Sequence, residues 1–227
     1  MHAIEIAPEI AARAMAARGG RQRLFDAVDP ARTAHVVIDM QNGFVEPGAT
    51  VEIATAREIV PAINRISRAV REAGGINIFV QFVTDGRALR DWSTFYGTVF
   101  LPGFSEGMLE SFRPGSHGHA LYSELDVAPE DFAVDKARFG AFSPGTSSLH
   151  DLLQEKGIDT LIVTGTATNV CCETTAREAM QLNYRVIFVS DATAALSDVE
   201  HNAALNSLTA IFADVVPADA VVELLSA

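Results

Sequence analysis

The sequence has few cysteines, one tryptophan and a shortage of positive charge. Its two cysteines, Cys171 and Cys172, are adjacent, so they cannot staple distant segments. A reducing, cytoplasmic setting is the expectation. Neither a Cys-x-x-Cys pair nor a Cys/His cluster marks structural zinc. Lys plus Arg number 17 against 29 Asp plus Glu, a formal net charge of -12. That balance argues against nucleic acid and against an anionic membrane surface as partners. A small anionic substrate stays open, because local charge in a pocket can oppose the total. A run of about 18 uncharged apolar residues is missing, and with it a candidate membrane span. The first residues mix Glu5, Glu9, Arg13 and Arg18 with apolar ones, so a signal-peptide core is not expected. Dinucleotide, P-loop and nucleophile-elbow motifs are also missing, so a bound cofactor is not expected.

Hydrophobic residues make up 48% of the 227, enough for the core of one domain. Pro8 to Arg18 reads as a helix closed by Gly19-Gly20, within an N-terminal helical extension over residues 1–30. Its expected role is packing on its own domain or on another subunit. Ala34 to Asp39 is a short apolar run ending in a carboxylate, a buried strand with Asp39 at its tip. Ile59, Ile63, Ile66 and Val70 carry helical spacing up to Gly74-Gly75, and Pro61 suggests a start only a few residues before it. Further strands are expected at 76–83, 131–136 and 185–191, an edge strand at 213–216, and helices at 147–156, 199–212 and 218–225. Residues 84–129 are irregular and aromatic, with rings that cover a pocket, serve a subunit interface or simply pack in the core.

Leu161-Ile-Val-Thr164 is a further strand. It leads through a turn of small residues into a helix from about Cys172 to Asn183. The alternation predicts an α/β fold: a Rossmann-like three-layer sandwich, its mostly parallel sheet covered by helices on both faces. A single domain over 1–227 is expected. Ligands in such sheets bind beyond the carboxyl ends of strands, where Asp39, Lys136 and the 164–171 turn all fall.

Cys171 sits where that turn becomes a helix. A helix N-terminus offers unpaired N–H groups and a positive dipole end, which favour a thiolate and predict a depressed pKa. Cys171 is the candidate nucleophile, Asp39 the candidate base, and Lys136 the charge that steadies both. Each has a plainer reading: an inert buried cysteine, a turn-capping carboxylate, a solvated lysine. Cys172 reads as structural. His117 and His119 form a short HxH without an obvious third ligand, so a metal site is not expected.

Three segments together resemble the signatures of the isochorismatase-like cysteine hydrolases. They are Val36-Val-Ile-Asp-Met-Gln-Asn-Gly-Phe44, Lys136-Ala-Arg-Phe-Gly-Ala-Phe142 and Thr164-Gly-Thr-Ala-Thr-Asn-Val-Cys171 with the Cys-Glu-Thr-Thr-Ala-Arg-Glu-Ala179 that follows. The resemblance runs from about His35 to the C-terminus. It implies a catalytic triad of Asp39, Lys136 and Cys171, and a cis peptide between Thr166 and Ala167. It also implies an oxyanion hole from the N–H groups of Ala167 and Cys171. Isochorismatases proper lack the cysteine, so Cys171 points to an amidohydrolase. Nicotinamidase-like members carry metal-binding histidines that the stretch from Phe82 to Arg90 lacks. The wording around Cys171 is most similar to ureidoacrylate- and carbamoyl-amide-hydrolysing members.

The expectation is a C–N hydrolase of a small amide or ureido compound, acting through a thioester as a homodimer or homotetramer. Gln41, Phe44, Trp92, Phe95, Tyr96 and Phe142 are the candidate pocket residues. Arg87 or Arg138 is the candidate for holding a substrate carboxylate. Two alternatives remain: vinyl-ether hydrolysis with Asp39 and no covalent step, and a binding subunit without catalysis.

Overall fold

In the computed structural model, which describes residues 1–226, β-branched runs and amphipathic segments alternate along the chain. In order they are α1 (Pro8–Ala17), β1 (Thr33–Ile38), α2 (Asn42–Val45), α3 (Ala56–Ala73), β2 (Ile76–Phe82), α4 (Ala88–Asp91), α5 (Pro102–Ser111) and β3 (Phe132–Lys136). Then come α6 (Leu149–Glu155), β4 (Thr160–Thr166), α7 (Glu173–Gln181), β5 (Arg185–Ala194), α8 (Asp198–Ser207), β6 (Asp214–Val216) and α9 (Ala218–Leu225). The six strands form one sheet in the order β3-β2-β1-β4-β5-β6, every pairing parallel.

Side chains alternate across each strand, and that period splits the interior into two cores. Val36, Ile38, Val80 and Val163 face one side, against Leu149 and Leu153 of α6, Ala176 and Ala179 of α7, and Leu205 of α8. Val37, Phe79, Ile162 and Ile187 face the other, against Ile59, Ile63, Ile66 and Val70 of α3 and Val221 of α9. The result is a helix–sheet–helix sandwich. Among the described residues, no helix is long and apolar enough to cross a membrane.

Several boundaries differ from the sequence reading. α3 starts at Ala56 and carries Pro61 inside it. The segment after β2 holds α4, a π-helical turn at Phe95–Val99 and α5. β5 runs on to Ala194, three residues past the expected end at Asp191. The expected helix over 199–212 is α8 plus a π-helical turn at Leu208–Phe212. α1 packs on that turn within the same chain, and Arg18 donates to the Thr209 carbonyl at 2.8 Å.

One close approach shapes the centre of the sheet. Gly165 of β4 has φ +111°, and a Cβ there would lie 2.1 Å from the Ile38 carbonyl oxygen. Only glycine lets β1 and β4 meet this tightly, one residue before Asp39.

Candidate active site

β1 and β3 end on the same side of the sheet because all strands are parallel, so Asp39 and Lys136 arrive together. Asp39 follows β1 directly and is one of two non-glycine residues with positive φ, at +51°, among the described residues. That left-handed backbone is uncommon for a residue with a Cβ and costs on the order of 1–2 kcal/mol. Strain of this sort is tolerated where the surroundings fix the residue for a task. The Asp39 N–H donates to the Val80 carbonyl at 2.8 Å.

Lys136 Nζ donates to Asp39 Oδ2 at 2.8 Å, and both side chains are fully buried. The ammonium donates again to the Arg138 carbonyl at 3.1 Å, and it lies 5.1 Å from the centre of the Phe82 ring. Taking two charges out of water is expensive, and the pair persists because each compensates the other. Burial pushes the Asp39 carboxyl up from its ordinary value, with the Lys136 ammonium opposing. For Lys136 burial pulls downward, but the Asp39 charge and then Cys171 outweigh it, so its pKa is raised and it stays an ammonium.

Cys171 is buried and lies close enough to couple electrostatically with both. Its thiol is pushed up, first by burial and then by the Asp39 carboxylate, with Lys136 opposing. This corrects the expectation of a depressed pKa. Cys171 sits in a π-helical turn, Thr168–Cys172, ahead of α7, where desolvation and a neighbouring anion overcome the helix end. The resting trio is therefore a thiol beside a carboxylate–ammonium pair. Among the described residues Asp39 Oδ1 is buried without a hydrogen-bond partner, and the Cys171 thiol couples with the carboxylate from beside it.

The peptide between Thr166 and Ala167 is cis. The carbonyl of Ala167 accepts the N–H groups of Val170 and Cys172, each at 3.1 Å, which pins the turn. Among the described residues the Ala167 N–H has no acceptor, and Ala167 and Cys171 both face the main cavity. Cys172 is fully buried, with Sγ 3.9 Å from the Thr164 carbonyl.

That cavity holds about 400 Å³. Ala167, Val170 and Cys171 form the end of it nearest the Asp39–Lys136 pair. Phe44, Phe82, Phe95 and Phe139 line it, with Phe100, Phe104, Met108 and Leu196. Thr50, Val51, Glu52 and Ile53 complete it.

Of the expected pocket residues, Phe44 and Phe95 line this cavity and the rest do not. Gln41 is fully buried in main-chain hydrogen bonds: it donates to the Phe82 and His119 carbonyls at 2.9 Å and accepts the Phe82 N–H at 2.6 Å. It holds the Phe82 wall in place from behind. Trp92 stacks on Phe95 at 4.3 Å and backs that ring. Phe142 packs on Tyr184 and His150, away from the cavity. Tyr96, Arg87 and Arg138 line a separate polar pocket of about 240 Å³. There Arg87 pairs with Asp85 at 2.8 Å, and Arg138 lies 4.9 Å from the Trp92 ring centre and donates to the Ala137 and Asp91 carbonyls. Both arginines are thus engaged locally, outside the Cys171 cavity.

His117 and His119 do not converge. His117 meets Glu46 at 2.7 Å and His119 meets Asp135 at 3.1 Å. Among the described residues no group of three His, Cys, Asp or Glu side chains is placed to hold a metal ion.

The sequence reading missed Phe82, Phe100, Phe104, Phe139 and Leu196 as lining residues, and two supports. His201 of α8 bonds Thr168 Oγ1 at 2.9 Å, bracing the nucleophile turn. Glu178 of α7 accepts the Phe142 N–H at 3.1 Å and bonds Ser143 Oγ at 3.0 Å, fixing the loop after Lys136. Aromatic density signalled a wall in the 84–129 segment, but no local pattern distinguishes rings that face a cavity from rings that back it.

Residues 33–220 match the isochorismatase domain family, and α1 lies outside that span. The ureidoacrylate amidohydrolase RutB of Methylobacterium radiotolerans is 32% identical over 204 residues, covering 82% of this chain and 76% of that one. A cysteine hydrolase from Pseudomonas syringae pv. phaseolicola has the same fold, with a TM-score of 0.80 at 26% identity, covering 91% of this chain and 98% of that one. N-carbamoylsarcosine amidase from Thermoplasma acidophilum gives 0.66 at 25% identity, covering 83% and 97%.

Proposed function

The chain belongs to the isochorismatase family of hydrolases, and from that premise we propose that it cleaves a C–N bond of a small amide or ureido compound through a thioester on Cys171. The observation that carries this reading is the fully buried Asp39–Lys136 pair set beside a thiol at the end of an apolar cavity.

The chemistry follows from the charges. Asp39 takes the thiol proton as the sulfur attacks the substrate carbonyl carbon. A carboxylate whose pKa is raised is a stronger base than a free one, and Lys136 keeps the combined negative charge tolerable in a dry site. The carbonyl oxygen becomes an oxyanion, held by the N–H groups of Ala167 and Cys171. Asp39 then passes its proton to the leaving nitrogen, the C–N bond breaks, and ammonia or an amine departs. Water attacks the thioester, giving its proton to Asp39. The C–S bond breaks, the acid leaves, and that proton returns to the sulfur. Net, one water is consumed and each group regains its starting state.

The test is ammonia release from a panel of primary amides and ureido compounds, comparing the parent protein with Cys171→Ala. Turnover should fall by at least about 10³-fold with thermal unfolding nearly unchanged. Most activity surviving in Cys171→Ala would sink the covalent mechanism and favour non-covalent hydrolysis by Asp39.

A further inference from the structure

We infer that the Cys171 cavity selects an uncharged, aromatic or otherwise apolar amide and rejects substrates bearing a carboxylate. The inference rests on the hydrolase reading and names the substrate class of that same site.

The lining residues carry it. Six of the chain's 13 phenylalanines, at 44, 82, 95, 100, 104 and 139, converge on this one cavity. Apolar walls of this kind bind by excluding water, and aromatic rings add edge-to-face contacts with a planar guest. The volume, about 400 Å³, suits a ring-sized ligand rather than an extended chain.

Charge decides the rest. Among the described residues, no lysine or arginine lines the cavity. Its one charged lining residue is Glu52, an anion whose pKa is lowered by the Gly48 N–H and then by Arg57. The cation nearest to Glu52, Arg57, is engaged: Nη2 donates to Glu52 at 2.8 Å and Nη1 to the Val45 carbonyl. The Lys136 ammonium is already shared by Asp39 and the Arg138 carbonyl. Arg87 and Arg138 belong to the other pocket. A carboxylate entering here would lose its water, find no free donor of charge, and meet Glu52. Burial of an unpaired anion is strongly disfavoured. Hydrolysis of an apolar amide gives the very species this cavity repels, a carboxylate, so the same walls that admit the substrate help expel the product.

A matched pair tests the inference: 4-methylbenzamide and 4-carbamoylbenzoate, which differ in a methyl against a carboxylate on the same ring. Ammonia release should show kcat/KM at least about 100-fold higher for the methyl compound. Equal or better use of the carboxylate would overturn the inference and leave the hydrolase reading intact. Calorimetric binding to Cys171→Ala separates selection from turnover. The neutral amide should bind at least about 10-fold tighter, and binding of neither, or of the carboxylate preferentially, would also overturn the inference. Tight neutral binding with no turnover by the parent protein would count against the thioester reading and support the selectivity. Leu196→Arg, placing a cation on the cavity's exposed rim, should narrow the ratio by improving use of the carboxylate.

Discussion

The two sides of the cavity are built on opposite terms. The side that holds Asp39, Lys136 and Cys171 sits at the tips of β1, β3 and β4, with β1 and β4 central in the sheet and β3 at its edge. Its polar groups are buried and held to about 3 Å contacts. The aromatic side is drawn from the loop after Asp39, the end of β2, the region around α4 and α5, and the loops after β3 and β5. Its members range from Phe82, which is buried, to Phe100 and Leu196, which are exposed. The first side is fixed by main-chain register and can hold charge. The second is held by ring-on-ring packing and holds none beyond Glu52. The labour is divided: register places Asp39, Lys136 and Cys171, and side-chain packing decides what reaches them.

The contrast breaks most visibly at Asp39. Asp39→Asn removes the proposed base and should cut turnover by about 10³–10⁴-fold, read by ammonia release. It also leaves the Lys136 ammonium buried without its partner, at a cost of about 3–5 kcal/mol by denaturant unfolding. Next comes Lys136→Met, which strands the carboxylate in the same way and should cost about as much stability. For the fraction that folds, the acid limb of the pH–rate profile is informative. Burial raises the Asp39 pKa and Lys136 lowers it, so removing Lys136 should move the limb to higher pH. A limb that stays put would mean that Asp39 is not the base.

β1 sharpens the comparison by carrying a second buried polar group at its other end. His35 is fully buried and bonds Thr164 Oγ1 at 2.8 Å, with Asn77 and Ser67 on its other nitrogen. Burial lowers its pKa from 6.5 to about 3, so it is kept neutral where the Asp39–Lys136 pair is kept charged. The folded pKa of this base lies below the unfolded one, so its contribution is fully present above pH 6.5 and is lost as pH falls from there toward 3. Stability should drop by roughly 3 kcal/mol between pH 6.5 and 4 from this group, measured by urea midpoints. His35→Asn should flatten that slope. An unchanged slope would place the acid sensitivity elsewhere.

The smallest effect belongs to the aromatic side. Phe139→Ala should raise KM for an apolar amide by about 10-fold while kcat changes little, since the ring touches substrate alike in ground and transition states. An equal fall in kcat would mean that the wall also aligns the carbonyl.

How much of this was readable in advance follows the same division. Asp39, Lys136 and Cys171 were legible because each terminates or follows a short apolar strand, and parallel strands bring such ends together whatever the intervening length. Arg87 and Arg138 were not, because a charged side chain on a loop takes whichever partner the loop's own folding supplies. Here those were Asp85, Trp92 and the carbonyls of Ala137 and Asp91. The Cys171 thiol was misjudged for a related reason. A turn-to-helix pattern announces a favourable dipole, but only packing reveals full burial and a carboxylate at hand.

The alternation of strands and helices, the sandwich that follows from it, and the residues at the strand tips were all set by the order of residues along the chain. Hydrophobic period and glycine placement are local properties, and they survive any rearrangement of loops. Which rings face the cavity, the want of a free cation in its lining among the described residues, and the resting thiol of Cys171 came from the packed fold. Those depend on distance and desolvation between segments remote in the chain, which no single stretch of sequence contains.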